Sequence, residues 1–297
     1  MAKRKKEFDH KKIKTVITVI AIIVFALYSI YYEFIEERKY GDVNEDDIKY
    51  SYHFINVGQG DATVILSGDD CVVIDCGTYE SGMTVVKYIE MYTDDIDLLI
   101  LTHPHEDHIG GAVDVLDSLD VKKVIMPDVV SNTSIFNHVI GGIEDNGSEV
   151  LRAEAGLNVS VGDISVDILG PLKIDEDDLN NCSVITKVTT EDISLMFTGD
   201  AESKVEKQLL NKYDTSVLDA DILKVPHHGS SSSSSKAFLE AVSPKYGVIS
   251  CAIDNGYGHP HTEVIELLRE LEIEYYITYE TDHTVFVSDG EHLALRQ

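Results

Sequence analysis

The chain has 297 residues, of which 43% are hydrophobic and 26% charged, with 20 glycines, 6 prolines and 4 cysteines. This composition is typical of folding chains and excludes long-range disorder, collagen and a small disulfide-framed protein. The formal net charge of −29 would repel a phosphate backbone over most of the surface, which excludes a general, non-specific nucleic-acid binder.

The amino-terminal part of the chain has the pattern of a membrane anchor. Seven of the 24 basic residues lie within residues 1–14, and the rest of the chain carries 17 basic against 51 acidic side chains. Residues 15–32 form an uncharged, apolar run that is just long enough to span a bilayer. Residues 33–48 are charged and lack apolar periodicity, so we expect an acidic stalk there.

The charges on either side of this run set the expected topology. By the positive-inside rule, residues 1–14 are cytoplasmic, 15–32 form a transmembrane signal-anchor, and residues 49–297 form an extracellular domain on the cell membrane. A cleaved signal peptide that leaves a secreted domain is the alternative. It is disfavoured because the run ends in bulky residues without a small-residue cleavage site.

From residue 50 onward, short β-branched runs alternate with amphipathic stretches, which predicts one mixed α/β domain. The predicted strands cover residues 52–57, 62–66, 71–75, 98–102, 123–126, 164–169, 184–188, 194–198, 222–225, 246–250, 275–278 and 284–287. The predicted helices cover residues 82–92, 110–119, 135–146, 201–212, 236–242 and 262–271. Thr262 is the expected N-cap of the last helix.

The strongest chemical signal follows the apolar strand that ends at Thr102. Within six residues lie His103, His105, Asp107 and His108. In an extended chain His103 and His105 point to the same side, whereas Asp107 and His108 can address a second ion. This density of borderline ligands on one strand end predicts a metal site.

Two more candidate ligands occupy the same strand-to-loop position elsewhere in the chain. Asp200 follows the apolar run SLMFTG, and His228 follows ILKVPH. A carboxylate can bridge two ions, and Asp200 is the best candidate for that role. It can also cap the helix that begins after it, and the two roles are compatible.

Together, these motifs resemble the metallo-β-lactamase superfamily and, within it, the ComEC-like branch. The resemblance rests on residues 53–62 (HFINVGQGDA), 73–77 (VIDCG), 102–111 (THPHEDHIGG), 180–185 (NNCSVI), 198–201 (TGDA), 224–230 (KVPHHGS) and 255–260 (NGYGHP). It implies a four-layer αββα sandwich, with two facing sheets, helices outside them and a metal site along one edge.

The resemblance also implies a ligand set for two divalent ions, Zn²⁺ or Mn²⁺. The implied ligands are His103 and His105 for one ion, Asp107, His108 and His228 for the other, and Asp200 as the bridge. Behind the ligands, it implies supporting roles for Asp75, Asp61, Asn181 and Ser183. In this scheme Asp107 and Asp200 also serve catalysis.

The sequence leaves alternative roles for two histidines near the ligands. His227 either touches the substrate or is a turn histidine in water. The resemblance implies that His259 acts as an acid toward the leaving group or as a donor to a phosphate, and an exposed turn imidazole is the alternative.

Two departures from the family pattern stand out. The third histidine that most of the superfamily supplies to the first ion is absent, and His138 lies too early in the chain to replace it. Asn180, Asn181 and Ser183 occupy that region instead, which leaves the choice between Zn²⁺ and Mn²⁺ open. Asn56 stands where ComEC-like proteins usually have Asp.

These inferences predict a membrane-anchored, extracytoplasmic hydrolase, a phosphodiesterase or nuclease that uses a metal-bridging hydroxide. A nucleic acid, a nucleotide and a cell-surface phosphodiester polymer are all open as substrates. The alternative is a catalytically silent metal-binding ectodomain that serves as a receptor or as an accessory subunit in DNA uptake.

Overall fold

The computed structural model describes residues 17–28 and 39–296. The chain divides into two units, with the boundary between Asp42 and Val43. In the first unit, residues 17–28 form helix α1. Across the described ranges, no helix is both long enough and apolar enough to cross a membrane.

The predicted transmembrane span is therefore unconfirmed. Its residues 15–16 and 29–32 lie outside the described ranges. The predicted cytoplasmic segment 1–14 and the first part of the predicted stalk, residues 33–38, also lie outside them.

The second unit is built on two large mixed sheets. The first consists of β1 (Tyr50–Phe54), β2 (Ala62–Ser67), β3 (Asp70–Cys76), β5 (Leu98–Ile100), β7 (Lys123–Met126), β8 (Glu149–Arg152), β16 (Thr284–Ser288) and β17 (Leu293–Arg296). The second consists of β9 (Asn158–Val161), β10 (Ile164–Gly170), β11 (Ile185–Thr190), β12 (Ile193–Phe197), β13 (Ile222–Lys224), β14 (Tyr246–Ile249) and β15 (Glu274–Ile277). A short ribbon pairs β4 (Asp95–Ile96) with β6 (Asp120–Val121).

Each large sheet has an antiparallel half and a parallel half. The strand orders are β17-β16-β1-β2-β3-β5-β7-β8 and β15-β14-β13-β12-β11-β10-β9. Pairing is parallel from β3 through β8 in the first sheet and from β12 through β15 in the second. The segments that follow the parallel strands of one sheet therefore emerge at the same edge, where open α/β sheets hold their ligands.

The helices of this unit are short to medium in length. They are α2 (Gly82–Ile89), α3 (Glu106–Ile109), α4 (Ala112–Ser118), α5 (Ser134–Asn146), α6 (Ser203–Lys212), α7 (Thr215–Leu218), α8 (Lys236–Val242), α9 (Thr262–Glu270) and α10 (Thr278–Thr281). Single 3₁₀ turns occur at Glu45–Asp47, Tyr79–Ser81, Leu179–Cys182 and Pro226–Gly229.

The hydrophobic core forms three layers, one between the two sheets and one between each sheet and its helices. Buried residues of α2, α4 and α5 pack on the first sheet, and those of α6, α8 and α9 pack on the second. Between the sheets, the rings of Phe54 and Phe197 stack at 6.0 Å, and those of Tyr246 and Phe286 lie 5.1 Å apart. The αββα sandwich expected for the domain is therefore confirmed.

The structure corrects the predicted elements in several places. Strands β4, β6, β8, β9 and β17 were not predicted. Strands β4 and β6 have only two residues each, and in β8 and β9 most side chains are polar or solvent-exposed and give no continuous apolar run. Thr262 is the first residue of α9 rather than its N-cap. The N-cap is His261, whose carbonyl accepts the first helical hydrogen bonds, from Val264 and Ile265.

The two ends of the folded unit are joined by a side chain. Arg296, in the last strand, donates one hydrogen bond to the carbonyl of Val43 at 3.1 Å and another to Glu45 Oε1 at 3.0 Å. Val43 and strand β17 thus lie side by side.

Candidate metal centre

The first sheet supplies its part of the site from the ends of β3 and β5. Asp75, near the end of β3, has a left-handed backbone with φ of 57°. Its carboxylate accepts hydrogen bonds from the amide of Thr102 at 2.8 Å, the hydroxyl of Thr102 at 2.6 Å and Nδ1 of His108 at 2.8 Å. These bonds fix the ring of His108 so that Nε2 is its free ligating atom.

The predicted HPHEDH ligands follow directly. His103 is fully buried, and its Nε2 lies 3.1 Å from Nδ1 of the partly exposed His105. Asp107 and His108 belong to the short helix α3. Gly60 allows this loop to sit against its neighbour, because a Cβ there would lie 2.3 Å from the carbonyl oxygen of Asp107.

Asp200 reaches the site from the loop after β12. The preceding Gly199 has φ of +50°, and a Cβ on it would meet Ser183 Oγ at 2.8 Å. The amide of Asp200 donates to Ser183 Oγ at 3.1 Å, and that hydroxyl donates to the carbonyl of Asn180 at 2.7 Å. Ser183 thus holds the backbone of Asp200, a supporting position like the one expected for it.

Two adjacent histidines follow β13 in a strained turn. His227 and His228 both have left-handed backbones, with φ of 51° and 54°. Such conformations are costly for non-glycine residues and persist where the surroundings enforce them, often at functional sites. His228 Nδ1 donates to the carbonyl of Ser250 at 2.8 Å, which leaves Nε2 free, and His227 Nδ1 lies 3.1 Å from Ser232 Oγ.

These side chains converge on Asp200. Its Oδ1 lies 3.2 Å from His108 Nε2, and its Oδ2 lies 3.4 Å from His228 Nε2 and 4.0 Å from His103 Nε2. Asp107 Oδ2 lies 3.3 Å from His228 Nε2. The structure therefore brings the predicted ligands from both sheets together, with Asp200 at their centre.

The unpartnered atoms of the site fit a metal. Among the described residues, buried polar atoms at the site without a hydrogen-bond partner are Asp61 Oδ1, His108 Nε2, Asn180 Oδ1, Asp200 Oδ1, His228 Nε2 and His259 Nδ1. Buried polar atoms are normally satisfied. Ligand atoms of Asp61, His108, Asp200 and His228 all lie within 4.8 Å of one another, so a divalent cation would satisfy several of these groups at once.

The electrostatics of the site favour positive charge. Burial opposes protonation of His108, yet the carboxylates of Asp200 and Asp75 outweigh it and raise the pKa of His108 well above its usual range. Burial raises the pKa of Asp200, but the neighbouring His228 and His108 lower it by more. The net result is a pKa well below its usual range. The carboxylate is thus ionised at neutral pH, as a metal ligand must be.

A buried lysine behind the histidines was not predicted. Lys224 Nζ lies 2.7 Å from Asp61 Oδ2, and both side chains are almost fully buried. Asp61 Oδ1 lies 3.2 Å from His228 Nδ1, so Asp61 contacts the rear of that ring rather than its Nε2. Burial raises the pKa of Asp61, but Lys224 and then His228 lower it to about 2.

The free side of the centre opens into a cleft of about 580 Å³. It is lined by Gln59, Thr78, His105, Glu106, Asp107, Asn180, Asp200, His227, His228, Tyr257 and His259. Burial, and then the nearby His228 and His227, lower the pKa of His259 to about 4, so its ring is neutral at pH 7. His227 and His259 thus both line the cleft.

The two neighbouring asparagines have different surroundings. The side chain of Asn181 donates to the Asp178 carboxylate at 2.9 Å and accepts from the backbone amide of Glu202 at 3.2 Å, so Asn181 lies behind the cleft. Asn180 lines the cleft. Gln59 and Tyr257 also line it, and the sequence analysis assigned them no role although both lie in motifs that carry the family resemblance.

The chain matches known proteins over most of this domain. Residues 55–252 match the family model of the metallo-beta-lactamase superfamily. ComE operon protein 3 of Bacillus subtilis is 32% identical over 178 residues, covering 60% of this chain and 23% of that protein. Competence protein ComA of Neisseria gonorrhoeae is 29% identical over 213 residues, covering 71% and 28%. This chain therefore spans about a quarter of the length of these relatives.

A solved structure shows the same fold. Igni18, described as a novel metallo hydrolase from the archaeon Ignicoccus hospitalis, aligns with a TM-score of 0.53 at 14% identity. The alignment covers 80% of this chain and 98% of that one. At this identity, the likeness is one of fold alone.

Proposed function

Because the chain belongs to the metallo-beta-lactamase superfamily, whose members include metal-dependent hydrolases, and is similar to competence proteins of the ComEC-like branch, we propose that it hydrolyses phosphodiesters with two divalent ions. The observation that carries this proposal is the convergence of His108, Asp200 and His228 from two sheets, with unpartnered ligand atoms, beside an open cleft.

The proposed ligand assignment is the one that the family resemblance implies. His103 and His105 would hold one ion, Asp107, His108 and His228 would hold the other, and Asp200 would be shared between them. Two divalent ions, Zn²⁺ or Mn²⁺, would activate a water molecule as nucleophile and offset the charge on phosphoryl oxygens.

The chain's own residues would then orient the substrate. His227 and His259 face the cleft beside Asp200, with the ring of His227 5.6 Å from that of His259. Because His259 is neutral at pH 7, it serves as a hydrogen-bond donor to the phosphate or leaving oxygen rather than as a reservoir of protons. Asn180 offers a second neutral polar group to the cleft.

The substrate class is proposed from chemistry and from the relatives. Two cations next to one cleft suit a phosphodiester, whose charge they would offset. The two bacterial relatives carry the names of a ComE operon protein and a competence protein, which supports a nucleic acid or nucleotide over a cell-surface polymer.

We further propose that the domain is held at the outer face of the cell membrane. The support is the basic segment 1–14 followed by the uncharged residues 15–32. Protease added to intact cells should release a fragment close in size to the domain beyond Val43. Digestion only after lysis would place the domain on the cytoplasmic side instead.

The activity itself is tested with the full chain in detergent, stripped of metal and reloaded with Mn²⁺ or Zn²⁺. Methyl p-nitrophenyl phosphate should be hydrolysed, and Asp200→Asn should abolish turnover, while His138→Ala, an exposed histidine of α5, should not. A loaded wild-type protein that binds metal but hydrolyses no phosphodiester would favour the silent ectodomain.

A further inference from the structure

Three rings stack in sequence from the metal centre to the surface. The His228 and His259 rings are nearly parallel, with centroids 6.1 Å apart and an interplanar angle of 28°. The Tyr257 ring continues the stack at 5.6 Å from His259 and 20°. Tyr257 is 69% exposed, so one face of its ring lies against His259 and the rest is available to a ligand.

The loop that carries Tyr257 is held in place. The side chain of Asn255 accepts hydrogen bonds from the amides of Tyr257 at 3.2 Å and His259 at 2.9 Å. It also donates to the carbonyls of Ala252 at 2.8 Å and His259 at 2.6 Å. A ring presented by a fixed loop loses little conformational freedom when a ligand packs on it.

The rest of the cleft wall offers little attraction for a polyanion. Among the described residues that line the cleft there is no lysine or arginine, whereas Glu106, Asp107 and Asp200 are acidic. The chain as a whole carries a formal charge of −29. Beyond the metal ions, affinity for a phosphodiester must therefore come from neutral contacts, and stacking on an aromatic ring is the strongest of these.

We propose that Tyr257 is a stacking platform for a nucleobase, so that the substrate is a nucleotide diester or single-stranded nucleic acid with its phosphate at the metal centre. This inference rests on the proposed phosphodiesterase function. A quaternary ammonium group, as in a choline ester, would be the other ligand for an aromatic ring, but it is held by a cage of several rings. Tyr257 is the only Phe, Tyr or Trp among the described residues that line the cleft.

The test compares three diesters that share the p-nitrophenol leaving group: the p-nitrophenyl esters of thymidine 5′-phosphate, methyl phosphate and phosphocholine. For the loaded wild-type chain, kcat/KM should be highest with the thymidine ester. Tyr257→Ala should raise KM for that ester by about 5- to 150-fold, the range expected for one base–aromatic stack, and raise it far less for the methyl ester, which carries no base. Tyr257→Phe should behave like the wild type.

The matched control is Tyr79→Ala, since Tyr79 is 54% exposed but is not among the residues that line the cleft. It should leave all three esters unaffected. Equal losses of kcat on all three esters in Tyr257→Ala would reduce Tyr257 to a support for His259. A loss confined to the phosphocholine ester would identify an ammonium site and overturn the proposal.

Equilibrium binding of thymidine 5′-phosphate separates this inference from the proposed function. Binding that is weakened in Tyr257→Ala supports the platform even if no diester is turned over. Equal binding by wild type and Tyr257→Ala overturns it even if the methyl ester is hydrolysed.

Discussion

The two sheets build their halves of the candidate metal centre in different ways. The first sheet supplies its candidate ligands in one run, His103 to His108, and fixes the ring of His108 with the side chain of Asp75. The second sheet delivers Asp200 and His228 from separate loops and fixes the ring of His228 with a backbone carbonyl, that of Ser250. One half is thus specified by a compact motif with a carboxylate behind it, and the other by backbone geometry.

The largest expected effect tests whether the two halves serve one site. Removing a ligand from either half, by His108→Ala or by His228→Ala, should lower kcat/KM by about 10³-fold or more, because metal chemistry contributes several kcal/mol. Elemental analysis should show a lower metal content in both variants, while His138→Ala keeps both metal and activity. If only one variant loses activity, the two sheets do not form a common centre.

The second prediction concerns the stability of the fold at acidic pH, and it involves a buried histidine of the first sheet. His53 in β1 is buried, with Nδ1 2.8 Å from the hydroxyl of Tyr88 and Nε2 2.7 Å from Ser51 Oγ. Burial, and then His283, lower the pKa of His53 to about 4. Since the unfolded chain binds this proton near pH 6.5, stability should fall as pH drops from about 6.5 to about 4, by roughly 3 kcal/mol.

The measurement is the free energy of unfolding of metal-free protein across that pH range. The His53→Gln variant should show a flatter pH dependence than the wild type, because the difference between the two curves isolates this one histidine. Parallel curves would mean that His53 does not contribute to acid sensitivity.

A third prediction addresses how each ring is fixed. Asp75→Asn should weaken metal binding by about 10- to 100-fold, the usual effect of losing the carboxylate behind a ligating histidine. Ser250→Ala should leave affinity within about twofold, because His228 uses the backbone carbonyl of that residue, which the substitution keeps. Titration with Zn²⁺ or Mn²⁺ measures both, and Asp117→Asn on the exposed face of α4 is the control. Similar losses of metal affinity in both variants would contradict the inference that the two histidine rings are fixed in different ways.

The smallest expected effect concerns the N-termini of two helices, α5 beside the first sheet and α9 beside the second. Thr133 caps α5, beside the first sheet, by accepting a hydrogen bond from the amide of Phe136 at 3.3 Å. Thr262, beside the second sheet, is the first residue of α9, and the side chain of its N-cap, His261, makes no capping hydrogen bond to the helix. In chemical denaturation, Thr133→Ala should cost about 1 kcal/mol and Thr262→Ala only a few tenths. The reverse order would contradict the observed caps.

Sequence reasoning reached the family and the sandwich because both depend on local signals. The central strands are β-branched runs bounded by turns, and the resemblance to the metallo-β-lactamase superfamily is confirmed by the match over residues 55–252. The edge strands β8 and β9 lack such runs, and their pairing partners decide their conformation. The local sequence pattern therefore predicted the central strands of the sheets better than these edge strands.

The features of the site that the sequence did not predict depend on long-range contacts and on backbone geometry. The pairing of Lys224 with Asp61 joins positions far apart in the chain, and nothing in the KVPHHGS motif indicates it. The left-handed backbone at His227 and His228 is uncommon for any residue other than glycine, so the sequence gives little signal for it. The exposure of Tyr257 likewise depends on how its loop is held by Asn255.

The hydrogen bond from Arg296 to Val43 places the start of the second unit beside its last described strand, β17. A unit whose ends meet in this way can be spliced into a surface loop of another polypeptide without stretching either partner. Gene fusion could thus move it between proteins as an intact cassette, with both sheets undisturbed. The same closure should tolerate circular permutation, in which a short linker joins the old ends and new ends open in a surface loop.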